Sequence, residues 1–250
     1  MEEYFINDDG IRLHAKLERP EGIDRCPVAV VVHGLTGNME ERHIQGVAQA
    51  LRDAGVATLR VELYGHGQSD GEFAAHTLYK WLDNLLVVID HAKALSFADG
   101  LYLCGHSQGG MACMLAAGMR NDDVDALIAL SAANHIPDGA RAGNIAQVIV
   151  FDPNHVPDEV GTPGIIMLNG DYVRVAQTIH VEEAMDRYAG PVLLVHGEKD
   201  EAVPLRYSVE AAARYANARL VTLPGDNHGY DKHLDVVERE ARAFVASIRR

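Results

Sequence analysis

The chain of 250 residues has the length of one α/β domain, and its 48% hydrophobic residues suffice for a large core. Its formal net charge of −14 argues against nucleic-acid binding, which needs Lys and Arg to neutralise phosphates. Its apolar runs are too short to span a bilayer, and the acidic start MEEYFINDDG lacks the apolar stretch of a signal peptide. We therefore expect a cytoplasmic protein that binds neither nucleic acid nor membrane.

Short apolar runs alternate with longer helical patterns along most of the chain. The predicted strands, which are rich in β-branched residues or stop at Gly or Pro, cover 11–20, 26–34, 56–63, 101–105, 124–132, 191–197 and 218–225. The predicted helices cover 40–54, 77–96, 107–119, 205–216 and 230–248. This alternation predicts βαβ crossovers and a mostly parallel central sheet flanked by helices.

Residues 133–182 break this alternation. The segment contains several prolines, many polar residues and only short apolar pieces. A stretch of this length without clear elements inside a compact domain is usually functional. We therefore predict a single α/β core, formed by residues 1–132 and 183–250, with a small lid inserted at 133–182 over one end of the sheet.

The three cysteines, Cys26, Cys104 and Cys113, are widely spaced and lie in apolar surroundings. An odd number with this spacing does not predict a disulfide framework, and we interpret Cys104 and Cys113 as small core residues. The sequence has no CxxC or HExxH pattern, so we predict no metal site.

The peptide Gly105-His106-Ser107-Gln108-Gly109 lies where a predicted strand changes to a predicted helix. It is a G-x-S-x-G nucleophile elbow in its expected context, where the two glycines avoid collisions in a tight turn. The N-terminus of the following helix favours negative charge beside the serine. We predict that Ser107 is a nucleophile; the alternative is a serine that only caps the helix.

A serine nucleophile needs a histidine base, and the histidine needs an acid that holds its tautomer. Parallel sheets place such groups just after the carboxyl ends of their strands. Asp200 follows the strand before the last and His228 follows the last strand, which gives the order Ser, acid, His that accompanies this elbow. Glu198 and Glu201 are alternative acids, and a helix cap is the alternative role for His228.

The oxyanion of the reaction requires two N–H donors. One should be the backbone N–H of Gln108, directly after the nucleophile. The other should come from the loop HGLTGN at 33–38, where the His-Gly turn directs the N–H of Leu35 toward the same point. Four further histidines beside glycines, namely His33, His66, His106 and His196, are interpreted as structural supports, with His106 directed toward the sheet.

Five motifs, HGLTGN, YGHGQSDG, GHSQGG, HGEKDEAVP and GDNHGY, stand in an order that resembles the α/β-hydrolase superfamily over nearly the whole chain. Within it the sequence is most similar to bacterial cinnamoyl and feruloyl esterases. The insertion carries the more specific similarity, since GNIAQVIVFDPNHVPDEV at 143–160 and GDYVRVAQ at 170–177 resemble the small lid of those enzymes. The resemblance implies an α/β-hydrolase fold with this lid over the active site.

By the same resemblance, lid residues contact the phenolic ring of a hydroxycinnamate, and the contacts fall on Asp138, Tyr172 and Gln147. Alternatively, Asp138 begins a turn and Tyr172 packs the lid. The spacing around Gln147 is shifted by about a residue, and Leu35 stands where an aromatic residue is common.

The motifs predict a serine carboxylesterase that acts through an acyl-enzyme, with no cofactor or metal. The resemblance of the lid implies feruloyl, caffeoyl or p-coumaroyl esters as its substrates. A general short-chain acyl esterase or monoacylglycerol-lipase-like hydrolase is the alternative. A thioesterase, a C–C bond hydrolase and a non-catalytic receptor for a small ligand are less favoured. The expected partner is a small-molecule ester, and an exposed sheet edge or the lid would support a homodimer.

Overall fold

The computed structural model describes residues 1–248. Its strands are β1 (Glu2–Asp8), β2 (Ile11–Glu18), β3 (Cys26–Val32), β4 (Ala57–Val61), β5 (Ala98–His106), β6 (Ala126–Leu130), β7 (Asn144–Ile145), β8 (Ile149–Val150), β9 (Glu159–Thr162), β10 (Ile166–Asn169), β11 (Val192–Gly197) and β12 (Ala218–Leu223). Its α-helices are α1 (Arg42–Asp53), α2 (Leu78–Ala94), α3 (Gln108–Met119), α4 (Ile136–Ala142), α5 (Asp171–Gln177), α6 (Val181–Arg187), α7 (Arg206–Arg214) and α8 (Leu234–Ile248).

Eight strands form one central sheet in the order β1-β2-β4-β3-β5-β6-β11-β12. The pairs from β4 to β12 are parallel, whereas β1 pairs with β2 and β2 with β4 in antiparallel fashion. The predicted strands and helices outside 133–182 are all present, with ends shifted by a few residues. The prediction of a mostly parallel α/β-hydrolase sheet is therefore confirmed.

Strand β1 was not predicted, and a hairpin accounts for it. Asp9 and Gly10 form a two-residue turn with φ of 45° and 92° between β1 and β2. Positive φ at both turn positions matches the right-handed twist of paired strands, which is why Asp-Gly is a hairpin signal.

The inner strands of the sheet are buried on both faces, as their continuous apolar runs require. In β3 every residue is buried, and alternate side chains point to opposite faces. Val28, Val30 and Val32 pack on the side of α2 and α3, whereas Ala29 and Val31 pack on the side of α1 and α8. Within residues 1–248, no helix is both long and apolar enough to cross a membrane.

The expectation that residues 133–182 lack clear elements is wrong. The segment between β6 and β11 contains α4, the hairpins β7–β8 and β9–β10, α5 and α6. These strands of two and four residues are too short to show periodicity in the sequence. Helix α6 begins one residue before 182, the predicted end of the insertion. It packs closely on α3, since a Cβ added at Gly118 of α3 would lie 2.6 Å from Ala184 Cα of α6.

Candidate active site

Ser107 stands on the turn between β5 and α3, in a strained backbone conformation. Its φ of 53° and ψ of −121° lie outside the regions that non-glycine residues prefer. A Cβ added at Gly105 would lie 2.3 Å from the Gly109 carbonyl oxygen, and one added at Gly109 would lie 2.2 Å from the His33 carbonyl oxygen. Both glycines are therefore sterically required. The Ser107 N–H donates to the Leu130 carbonyl at 2.9 Å, which fixes the turn against β6.

His228 lies on the loop after β12 and is bound to Asp200 on the loop after β11. The distance from His228 Nδ1 to Asp200 Oδ2 is 2.7 Å, and the Asp200 side chain is fully buried. Backbone N–H groups of Ala202 and Val203 donate to Asp200 Oδ1 at 2.9 and 2.8 Å. Burial alone would raise the pKa of Asp200, but the hydrogen bonds from His228 and Val203 outweigh it, so the pKa lies below its usual value.

The alternative acids have other surroundings. Glu198 accepts a hydrogen bond from the backbone N–H of Gly225 at 3.3 Å, and Glu201 is exposed. The structure thus brings Asp200, the first-choice acid, together with His228. With Nδ1 bound to the carboxylate, the other nitrogen of His228, Nε2, is the one left for proton transfer.

Two further histidines support this pair. His106 Nε2 donates to the His228 carbonyl at 2.9 Å, and its buried ring lies 4.5 Å from the His228 ring between centroids. His196 Nε2 donates to the Val203 carbonyl at 2.9 Å and lies 3.3 Å from Asp200 Oδ2. Both contacts agree with the interpretation of these residues as structural supports. Burial lowers the pKa of His106, so that it stays neutral beside His228.

A cavity of about 380 Å³, here named the Ser107 cavity, has both Ser107 and His228 in its lining. Leu35 and Gln108, the residues with the predicted oxyanion donors, line it as well. The loop that carries Leu35 lies directly against the nucleophile, since a Cβ added at Gly34 would lie 3.1 Å from Ser107 Cβ. Most of the remaining lining is aliphatic, and the insertion contributes Ile136, Ile145, Val148, Ile149, Ile165 and Ile166 to it.

Asp138, Tyr172 and Gln147 lie outside the lining of the Ser107 cavity. The Asp138 side chain is 59% exposed and bound to Arg141 at 2.7 Å. Tyr172 is fully buried, and its hydroxyl donates to Gln108 Oε1 at 2.8 Å. Gln147 is exposed and lines a neighbouring cavity together with Asp138. Direct contact of these three residues with substrate stays a prediction.

Sequence reasoning missed His135 and the aliphatic side chains of the insertion as parts of the site. A sequence signal existed for the latter, because Ile145 and Ile149 are apolar positions on either side of a turn in GNIAQVIV. No comparable signal distinguishes His135 among thirteen histidines.

Two family models match the chain. The model of the serine aminopeptidase S33 family matches residues 24–152, and that of the TAP-like proteins matches residues 169–248. Among solved structures, Est1E from Butyrivibrio proteoclasticus with bound ferulic acid is 50% identical, with a TM-score of 0.95 over 97% of this chain and 98% of that chain.

Curated relatives are more distant. Mitochondrial palmitoyl-protein thioesterase ABHD10 of Mus musculus is 27% identical over 198 residues, which are 76% of this chain and only 64% of that protein. The chain therefore spans less than two thirds of that relative's length. The bifunctional esterase/perhydrolase DCH of Acinetobacter calcoaceticus is 24% identical over 222 residues, 73% of this chain and 79% of that protein. The match to the serine aminopeptidase S33 model and the 50% identity to Est1E, together with the fold, show that the chain belongs to the α/β-hydrolase superfamily.

Proposed function

We propose that the protein is a serine carboxylesterase that hydrolyses small hydroxycinnamate esters. The observation that carries this proposal is that the strained Ser107 and His228, which is bound to Asp200, line one cavity. The cavity volume of about 380 Å³ lies within the range of small-molecule sites.

In the proposed reaction, Ser107 Oγ attacks the ester carbonyl while His228 Nε2 takes its proton. Asp200 holds the tautomer of His228 and stabilises the imidazolium. The N–H groups of Leu35 and Gln108 stabilise the oxyanion, and one such donor typically contributes about 3 kcal/mol to transition-state stabilisation. His228 then returns the proton to the leaving alcohol, and water cleaves the acyl-enzyme by the same route.

The hydroxycinnamate assignment is supported by similarity and by the lining of the cavity. The solved relative with bound ferulic acid is 50% identical over nearly the whole chain. The insertion, which we propose acts as a lid, supplies Ile145, Ile149 and Ile166 as apolar walls against which an aromatic acyl group can pack.

A short-chain acyl ester is the alternative substrate. It is favoured by the aliphatic lining, to which the insertion contributes isoleucine and valine rather than aromatic residues.

The test is the specificity constant kcat/KM for methyl ferulate, methyl caffeate and p-nitrophenyl butyrate. We expect the two hydroxycinnamates to have higher values than the butyrate, and Ser107→Ala to abolish all three activities. Cleavage of the butyrate alone would refute the substrate proposal and leave the esterase chemistry in place.

A matched pair of variants tests the proposed lid. Ile149 and Val150 are neighbours on β8, but Ile149 is buried in the lining whereas Val150 is 64% exposed. Ile149→Ala should lower kcat/KM for methyl ferulate, whereas Val150→Ala should leave it unchanged. Equal effects of the two substitutions would contradict a substrate contact by this hairpin.

A further inference from the structure

His135 lines two cavities. It lies just before α4 and belongs to the lining of the Ser107 cavity. It also lines a cavity of about 310 Å³, here named the outer cavity, whose wall includes Asn144, Gln147, Arg206 and Tyr207. The two linings share His135, Ala146 and Ala202, and of these three only His135 has a polar side chain.

The polar atoms of His135 are buried and unsatisfied. The residue is 8% exposed, and neither Nδ1 nor Nε2 has a hydrogen-bond partner within residues 1–248. Within the same residues, each of the other buried histidines that has an unpaired ring nitrogen has only one. An unpaired buried donor or acceptor destabilises the fold by the full desolvation free energy of that group. Two unpaired nitrogens on one ring therefore require an explanation.

The His135 imidazole is neutral and can form hydrogen bonds with a neutral group. Burial lowers its pKa to about 4, although the nearby Asp200 carboxylate acts in the opposite direction. A neutral imidazole offers one N–H donor and one acceptor nitrogen. The Tyr207 ring lies 5.6 Å away between centroids and supports the imidazole. The second side-chain torsion of histidine has broad minima, which allows the ring to turn about the Cβ–Cγ bond.

We propose that His135 is a specificity-determining residue that binds a hydroxyl group of the ester. A hydroxyl both donates and accepts, so it can pair with either nitrogen of the neutral ring. The hydroxyl belongs either to the phenol of the acyl group or to the alcohol part of the ester. This inference rests on the proposed function, and it explains why a hydrolase keeps an unsatisfied imidazole beside its reaction site.

Two pairs of esters separate the sources of the hydroxyl. Methyl p-coumarate and methyl cinnamate differ only in the phenol, whereas 2-hydroxyethyl cinnamate and ethyl cinnamate differ only in the hydroxyl of the alcohol. The ratio of kcat/KM within each pair is measured for wild type, His135→Leu and His135→Gln. The exposed His155 of the insertion provides the control variant His155→Leu. Hydrolysis of p-nitrophenyl butyrate, which has no free hydroxyl group, normalises each variant.

In one of the two pairs, the ratio of kcat/KM for the hydroxylated over the unhydroxylated ester should fall about tenfold in His135→Leu. The ratio should return in part in His135→Gln, because glutamine restores a donor and an acceptor. That pair identifies the hydroxyl. His155→Leu should keep the wild-type ratio. Ratios that are unchanged in both pairs overturn the inference while the proposed function stands. If wild type cleaves the butyrate but none of the four cinnamates, the proposed function fails and the inference fails with it.

Thermal unfolding supplies a second readout. In the absence of substrate, His135→Leu removes two unsatisfied polar atoms, so its Tm should equal or exceed that of wild type. A lower Tm together with unchanged ratios shows that the imidazole has a structural role and also overturns the inference.

Discussion

The hydrogen bond from Tyr172 to Gln108 joins the insertion to the residue that follows the nucleophile. Both side chains are fully buried, and the hydroxyl lies 2.8 Å from Gln108 Oε1. Tyr172→Phe removes the donor and keeps the ring, which packs 5.1 Å from the His76 ring between centroids. The substitution therefore leaves Gln108 Oε1 buried without this donor.

An unsatisfied buried acceptor costs about 1–3 kcal/mol. Part of this cost is offset because the variant no longer buries the phenol hydroxyl, so we expect a loss of about 1–2 kcal/mol in the free energy of unfolding. For a domain of this size that loss lowers Tm by about 2–8 °C.

Urea unfolding of Tyr172→Phe, Gln108→Met and the double variant measures the coupling of the two side chains. We expect a coupling energy above about 0.5 kcal/mol, because residues in one hydrogen bond do not act additively. Additive effects, or a Tyr172→Phe variant as stable as wild type, would refute the reasoning. The same variant should lower kcat/KM for hydroxylated and unhydroxylated esters alike, since Tyr172 holds Gln108; a loss confined to hydroxylated esters would support direct contact with substrate.

Further predictions concern the acid, the elbow and the thiols. Asp200→Asn should lower kcat about 10³–10⁴-fold in ester hydrolysis, whereas Glu198→Gln should stay near wild type; the reverse result would make Glu198 the acid. Because the pKa of Asp200 is lowered in the folded state, its stabilisation is present above the unfolded pKa and lost as pH falls through the folded value. The difference in unfolding free energy between wild type and Asp200→Asn should therefore shrink below about pH 4, as acid-dependent urea titrations can check. Gly105→Ala should prevent assembly of the elbow, seen as lost activity and lowered Tm, because its Cβ would meet the Gly109 carbonyl at 2.3 Å. Burial raises the pKa of Cys104 to about 12 and also raises that of Cys113, so a disulfide reagent at pH 8 should modify neither thiol before unfolding, as peptide mapping would show.

The core of the fold follows from local sequence patterns. Buried strands such as β3 are continuous apolar runs, and the elbow is marked by Gly105 and Gly109, whose spacing reflects a steric need within five residues. Parallel strands end at one edge of the sheet, so the residues just after β11 and β12 meet there. This is why the sequence alone predicts the pairing of Asp200 with His228.

The insertion was less predictable because its structure depends on contacts distant in sequence. Tyr172 and Gln108 are 64 residues apart, and their hydrogen bond forms only when the fold brings the first turns of α5 and α3 together. Neither residue type nor spacing indicates this contact. The unsatisfied imidazole of His135 is likewise a property of the packed cavity walls, since the sequence shows a histidine but not which of its atoms lack partners.

The identity of the nucleophile is the central claim, and covalent labelling tests it most directly. A fluorophosphonate ester reacts with serines that an adjacent base activates. After incubation, intact-mass measurement and peptide mapping should show one adduct per chain, on Ser107, with loss of esterase activity in proportion to labelling. The adduct should be absent from Ser107→Ala and strongly reduced in His228→Ala. An adduct on another serine, or full activity of Ser107→Ala, would contradict the account.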